Sequence, residues 1–277
     1  MSSDMASSEH STRVGLIGYG TAGKDVAEAI LGGQAGDSRL VAVLVRDVAK
    51  YAGITLDGCQ FTDCEETFFA SAPDVVVETA GHAAVIRYAE TSLAHGCDFM
   101  IVSVGAFCDQ ALFDRVMASA GRHGKRVLVP SAAIAGLDRI AAAAQGPLER
   151  VTLTTRKPVK AWRGTFAEEV VDLDTITQPT VIFEGNARES SRVFPESVNV
   201  SAALSLAGVG FESTDVRVLI DPSIDKNVHE VSAKGRFGEV RIEVRNTPSP
   251  SNPKTGHIVA MSVAKTLKDL SSPLVIS

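Results

Sequence analysis

Gly18, Gly20 and Gly23 stand at the spacing G-x-G-x-x-G, in the stretch Gly18-Tyr19-Gly20-Thr21-Ala22-Gly23. Residues of this type at this spacing suit one kind of chemistry, the holding of a dinucleotide pyrophosphate. Gly18 permits a tight turn, Gly20 lets backbone approach the pyrophosphate with no Cβ in the way, and Gly23 lets a helix pack closely on a strand. The unpaired N–H groups at the helix start, around Thr21 and Ala22, attract phosphate together with the helix dipole. A bare glycine pattern also arises as an unrelated turn. Here it follows the apolar run Val14-Gly15-Leu16-Ile17 and precedes Val26, Ala27, Ala29 and Ile30 at helical spacing. That strand, turn and helix is the setting in which the motif has physical meaning.

A second informative position closes the second strand, where a carboxylate accepts from the ribose 2′-OH of NAD and an Arg pairs with the 2′-phosphate of NADP. The chain has Val45-Arg46-Asp47 there. Arg46 stands about where the discriminating carboxylate falls, with Asp47 one residue on. It reads as acceptance of NADP, alongside NAD; the plainer alternative is a solvated surface pair.

Polar residues are dense in the second half. Arg156-Lys157-Pro158 is followed by Trp162-Arg163-Gly164-Thr165, and then by Phe183-Glu184-Gly185-Asn186-Ala187-Arg188. Asn199 opens a long helix, and Asp221-Pro222 precedes Asn227-Val228-His229-Glu230-Val231. A core has no need of so many polar groups, although a lone strand histidine is as a rule a structural residue.

The elements that must position these groups alternate in the first half. Leu40–Val45, Asp74–Thr79, Phe99–Val104 and Lys125–Pro130 read as strands, with a helix over Asp109–His123 before the last. Strands separated by helices build a parallel, doubly wound sheet, and ligands sit at the carboxyl ends of its strands. The loops there include Ala80-Gly81-His82 and Ser131-Ala132-Ala133. Gly81 and His82 are therefore candidates to face the nucleotide, with an ordinary helix start as the other reading of His82.

The second half reads as alternating strands over Thr152–Thr155, Thr180–Phe183, Val216–Ile220, Val228–Ala233 and Glu239–Val244, interrupted by a helix over Asn199–Ala207. A Pro-rich stretch leads to a last helix, Gly256–Leu270, whose apolar side chains predict a return to the nucleotide domain. The predicted fold class is α/β: an N-terminal Rossmann doubly wound sheet plus an α+β catalytic domain with the C-terminal helix returning. The expected divisions are a flexible tail over 1–12, a dinucleotide-binding domain over 13–133, a substrate domain over 134–250 and the C-terminal helix within 251–277.

Composition narrows the classes. The 277 residues are 45% apolar with a net charge of −6, and no stretch concentrates Lys or Arg, which argues against nucleic acid. No apolar run reaches the roughly 18 residues that cross a bilayer. The polar, Ser-rich start lacks the layout of a signal peptide. Four cysteines, at 59, 64, 97 and 108, form no C-x-x-C pair and lack the Cys/His spacing of a metal site, so they read as thiols of a reducing cytoplasm.

Taken together, RKP, WRGT, FEGNAR, LAGVG, NVHEV and NPKT occur in an order that resembles the L-aspartate dehydrogenase family, over nearly the whole chain after the tail. The resemblance implies NAD- or NADP-dependent oxidation of L-aspartate to iminosuccinate, which yields oxaloacetate and ammonia. It places the family's catalytic histidine on His229 and its nucleotide contacts on Ala133 and Asn199. Departures from the family's pattern stand at Val159, Ser197 and Gly256.

Imidazole, with an ordinary pKa near neutrality, suits the proton transfer that amine oxidation requires. The two substrate carboxylates call for cations or N–H donors. Arg156, Lys157, Arg163, Lys254 and the amides of Ser131, Ala132 and Ala133 are the candidates. The resemblance also leads to the expectation of a homodimer or larger assembly. The competing functions are a homoserine-dehydrogenase-like or dihydrodipicolinate-reductase-like oxidoreductase, and a non-catalytic NADP-binding sensor.

Overall fold

Val14, Leu16, Val75, Val76, Val77, Phe99, Met100 and Ile101 are all buried. Strands covered on both faces must be apolar throughout, and these are the centre of a parallel sheet. A computed structural model describes residues 11–194, 198–249 and 252–276, the side chains at 248, 249 and 252–255 excepted. The expected tail falls almost wholly outside that range, and Thr12 already belongs to the first strand.

The first half runs β1 (Thr12–Ile17), α1 (Thr21–Leu31), β2 (Ser38–Leu44), β3 (Gln60–Thr62), α2 (Glu65–Ala70) and β4 (Val75–Glu78). It continues through α3 (His82–Ala94), β5 (Asp98–Ile101), α4 (Gln110–His123) and β6 (Val127–Leu128). The strand order is β3-β2-β1-β4-β5-β6, and every pairing is parallel. This is the Rossmann order, with its switch point between β1 and β4. Short-range chemistry sets the helix ends. Asp109 caps α4 by accepting from the Leu112 N–H at 3.1 Å, and Gly124 ends it in the left-handed region at φ 62°. β3 is an addition to the expected strands. Its three residues are defined by pairing with Ala42–Leu44, not by an apolar pattern of their own.

The second half runs α5 (Leu137–Ala143), β7 (Leu148–Lys157), α6 (Ala167–Val170), β8 (Thr180–Asn186), α7 (Ala187–Val193), α8 (Val198–Ala207) and β9 (Thr214–Ile220). The hairpin β10 (Val228–Gly235) and β11 (Gly238–Arg245), the short pair β12 (Pro248–Ser249) and β13 (Asn252–Gly256), and α9 (Ile258–Ser271) complete it. The second sheet has the order β11-β10-β7-β9-β8 and is mixed, β7 and β9 being parallel and the other pairs antiparallel. On β7, Val151, Leu153, Thr155 and Lys157 are buried while the residues between them are less so, the period of a sheet with one covered face. α7 begins with a capping box, in which Asn186 and Glu189 each accept from the other's backbone N–H.

The last helix does return to the first domain. Val263, Ala264 and Leu267 of α9 share a core with Val26, Ala27 and Ile30 of α1. A second core runs without interruption from Phe99, Val104 and Phe107 to Trp162, Phe194, Leu204 and Val218, so the two sheets are joined by continuous apolar packing.

Candidate active site

At the switch point the glycine turn does what its spacing predicts. Gly18 has φ 93°, and its N–H donates to the Leu44 carbonyl at 2.9 Å. A Cβ there would come within 2.8 Å of the Ala80 Cβ, so the β1 and β4 loops lie against each other. A Cβ on Gly23 would run into the Gly18 carbonyl oxygen and approach Thr79 Oγ1 to 2.9 Å. Gly20 differs: nothing lies within 4 Å of where its Cβ would be. It caps α1 without a side-chain hydrogen bond, and no acidic residue occupies the first turn at Thr21 and Ala22. The cradle is open, uncapped and electropositive, which fits a pyrophosphate. Arg46 is exposed just past β2 and makes no hydrogen bond or ion pair among the described residues. The Asp47 carboxylate accepts from the Ala49 N–H at 3.2 Å and pairs with Lys50 at 3.6 Å.

Glu78, at the end of β4, is completely buried and holds two strand-end loops together. One carboxylate oxygen accepts from the Ala80 and Gly81 N–H groups at 2.7 Å each and from Ser103 Oγ at 3.0 Å. The other accepts from the Ser103 N–H at 3.0 Å. Burial pushes this carboxyl above the usual range, against the pull of those hydrogen bonds. The loops so fixed carry Gly81, with φ 99°, and His82, the first residue of α3. They also carry the 3-10 turn Val104–Cys108, in which Gly105 packs against the second domain. The Gly105 N–H donates to Asn199 Oδ1 at 2.8 Å. A Cβ on Gly105 would run into Val198 and approach His82 Nε2 to 2.8 Å. Thus His82, Gly105 and Asn199 meet, and Asn199 bridges the domains.

The loop after β6 is held from two sides. Ala132 adopts φ 49°, strained for a residue with a Cβ, and donates its N–H to Ser262 Oγ of α9 at 2.9 Å. The Ala133 carbonyl accepts from Asn246 Nδ2 at 2.8 Å. The Ala132 amide, one of the expected donors for a substrate carboxylate, is engaged by Ser262 here. Ser131 is exposed. Beside the loop a cavity of about 640 Å³ is lined by Ser131, Ala132, Asn246 and Ser262, and it reaches Val244.

Val244 is the cross-strand neighbour of His229, which lies between it and Thr155 of β7 on the covered face of the second sheet. His229 is 5% exposed, and its Nδ1 is 3.0 Å from Thr155 Oγ1. Burial first, and the Lys157 charge second, push its imidazole down to about 4. Its neutral form is therefore the favoured one in the free protein. Lys157 lies two residues beyond Thr155 on the same face, buried, with Nζ 4.9 Å from the Trp162 ring centroid.

Arg156 points the other way. Its guanidinium is held by Asp221 at 3.1 Å and Glu243 at 2.9 Å. Burial raises the Asp221 carboxyl, and hydrogen bonds from Ser223 together with Arg156 more than offset this. Strand alternation turns Arg156, one of the expected substrate contacts, away from His229. The Lys254 side chain and Ser197 lie outside the described residues.

Known proteins are similar to this chain in sequence and in fold. An L-aspartate dehydrogenase of Methanocella arvoryzae is 40% identical over 267 residues, 95% of this chain and 98% of that protein. One of Ralstonia pickettii is 45% identical over 70% of this chain and 73% of its own length. The chain belongs to the L-aspartate dehydrogenase family.

Residues 138–270 match the family model for the aspartate dehydrogenase C-terminal region, and residues 18–130 match that for the homoserine dehydrogenase NAD binding domain. The crystal structure of aspartate dehydrogenase from Thermotoga maritima superposes with a TM-score of 0.78 at 26% identity, covering 97% of this chain and all of that one. A homoserine dehydrogenase from Thiobacillus denitrificans, at 14% identity and a TM-score of 0.63, shares the fold alone.

For this L-aspartate dehydrogenase family member, the sequence alone did not point to Glu78, Ser103, Asn246 or Ser262. Only Glu78 carried a signal, as the charged end of an otherwise apolar buried strand. The others act through contacts 25 to 130 residues away.

Proposed function

We propose that this protein oxidises L-aspartate to iminosuccinate with a pyridine nucleotide, the imine then hydrolysing to oxaloacetate and ammonia. The observation that carries this reading is His229: a buried, neutral imidazole, held by Thr155, on the sheet face of a domain with the aspartate dehydrogenase family pattern. A non-catalytic nucleotide sensor has no use for such a group. The homoserine dehydrogenase likeness is confined to the nucleotide half among the family models, and this disfavours that rival.

In the tautomer that donates from Nδ1 to Thr155 Oγ1, Nε2 presents a lone pair. His229 then takes one proton from the substrate ammonium, leaving a neutral amine whose lone pair forms the C=N bond as hydride departs from Cα. The bound oxidised nucleotide supplies the acceptor for that hydride. Gly18, Gly20, Thr21 and Ala22 hold its pyrophosphate, and Gly81, His82, Ala133 and Asn199 line the path toward His229. Arg46, uncommitted to any neighbour among the described residues, favours the nucleotide with a 2′-phosphate, and NAD remains a substrate. A homodimer or larger assembly is part of the same proposal.

The test follows NADPH and NADH consumption with oxaloacetate plus ammonia. Turnover is expected with wild type, and His229→Ala is expected to lose about 10²- to 10⁴-fold in kcat while keeping its circular dichroism. No turnover with either nucleotide would overturn the aspartate assignment, and an unimpaired variant would remove His229 from proton transfer.

A further inference from the structure

Three separated pieces of chain meet at the loop after β6. The Ile134 N–H donates to the Ser131 carbonyl at 3.1 Å, closing a tight turn over Ala132 and Ala133. Ala132, the second residue of that turn, has φ 49°, a conformation in which glycine is the usual residue. An alanine persists there only where its surroundings hold it, and such strain gathers at functional sites. Among the described residues Ala72 is the other non-glycine with positive φ, and it stands before β4, away from the carboxyl ends of the strands.

Two side chains do the holding. Ser262 is buried in α9, and its hydroxyl donates to the Val259 carbonyl at 3.0 Å while accepting from the Ala132 N–H at 2.9 Å. Its proton is thereby committed, and it faces Ala132 as an acceptor. Asn246, just past β11, donates from Nδ2 to the Ala133 carbonyl at 2.8 Å, and its backbone N–H donates to the Asn227 carbonyl at 3.2 Å. Asn227 stands two residues before His229 at the entry to β10. Asn246 therefore ties the turn to the strand that carries the imidazole, and Ser262 ties it to the helix that packs on α1.

The turn's place in the sheet says what it positions. A Rossmann sheet takes one half of a dinucleotide on each side of its switch point. Arg46 follows β2, on the side that takes the adenosine half, so β4, β5 and β6 take the nicotinamide half.

We propose that Ser262 and Asn246 are positioning residues, which clamp the turn at 131–134 so that it seats the nicotinamide end of the nucleotide against His229. This rests on the aspartate reading and adds to it the groups that set the distance between hydride acceptor and base. The adenosine half has its own holds, at the glycine turn and Arg46. A loosened clamp thus lets the nicotinamide wander while the nucleotide stays bound. A displacement of about 1 Å at the reacting atoms costs on the order of a hundredfold in rate. The returning helix is then part of the site as well as of the core.

The experiment titrates wild type, Ser262→Ala and Asn246→Asp with NADPH and NADH, whose fluorescence arises from the reduced nicotinamide ring. Asp has the size of Asn but no N–H for the Ala133 carbonyl. Wild type is expected to shift the emission on binding. In both variants the emission at saturation is expected to return toward that of free nucleotide, with Kd raised no more than about threefold. Their kcat for aspartate should fall about ten- to a hundredfold. Adding Ala132→Gly to Ser262→Ala should restore most of both, because glycine holds this φ unaided. A serine that served stability alone would lower the urea midpoint and leave the bound emission as in wild type.

Wild-type emission at saturation in both variants overturns the proposal, whether or not aspartate is turned over. So does a bound wild-type emission no different from that of free nucleotide, or a loss that Ala132→Gly does not repair. A rise in Kd as large as the fall in kcat overturns the assignment to the nicotinamide end. If wild type turns over no aspartate, the functional reading fails, and the fluorescence titrations still decide the clamp.

Discussion

Arg46 and His229 are opposite cases of a polar residue in a binding protein. Arg46 is exposed and uncommitted among the described residues, so its value lies in what it can meet; His229 is buried and its behaviour is set by its neighbours. A guanidinium on a ribose phosphate gives charge-assisted, directional hydrogen bonds. Arg46→Ala is accordingly expected to raise KM for NADP about ten- to a hundredfold and leave that for NAD nearly unchanged, measured by steady-state kinetics with each nucleotide. Equal effects on both would place the arginine away from the 2′-phosphate. At this scale the sequence pointed to Arg46, His229 and Asn199, and it named Arg156 and Lys157 side by side without choosing between them. The two are adjacent and equally basic; only the register of β7 against β10 decides which shares a face with His229.

At the scale of elements, the site depends on how closely strand ends and helix starts approach. α1 leaves β1 through a turn so tight that Gly23 lies against the Gly18 carbonyl, and α8 reaches the 3-10 turn Val104–Cys108 so closely that Gly105 has no room for a side chain. Gly23→Ala is expected to cost about 1–3 kcal/mol in urea unfolding and to weaken nucleotide binding as α1 is pushed from the sheet. A variant with wild-type stability and affinity would show that the helix approach is not set there. The strands of both sheets were legible because burial on one face or two leaves a period in the residues. β3 was not, because Thr62 is the only buried residue among its three and its pairing with β2 defines it.

For the whole molecule, pH is the sensitive variable. His229 titrates near its ordinary 6.5 when unfolded and about 4 when folded. Between those values the unfolded chain binds more protons, so stability falls as pH falls through this window. His229 thus contributes stability that is present above about 6.5 and is lost toward 4. From pH 7 to pH 4.5 the loss from this residue is about 2 kcal/mol. Glu78, pushed upward by burial, acts in the opposite sense, its contribution being present at low pH and lost as pH rises. The His229 part is therefore isolated by comparison: the difference in unfolding free energy between wild type and His229→Asn should shrink by about 2 kcal/mol over that range. A constant difference would mean that the imidazole is not depressed in the folded protein.

The amino-acid sequence by itself determined the fold class, the nucleotide cradle, the returning last helix and the family. Each of these is written in local spacing: glycines three and five residues apart, apolar periods of two or near four, short segments in a set order. What only the tertiary structure decided is which polar groups meet. Glu78 joins Gly81 to Ser103, Ser262 holds Ala132, Asn246 holds Ala133, and Lys157 acts on His229. Such pairs lie up to 130 residues apart in the chain, and the desolvation that shifts a carboxyl or an imidazole exists only once the two sheets have closed around it.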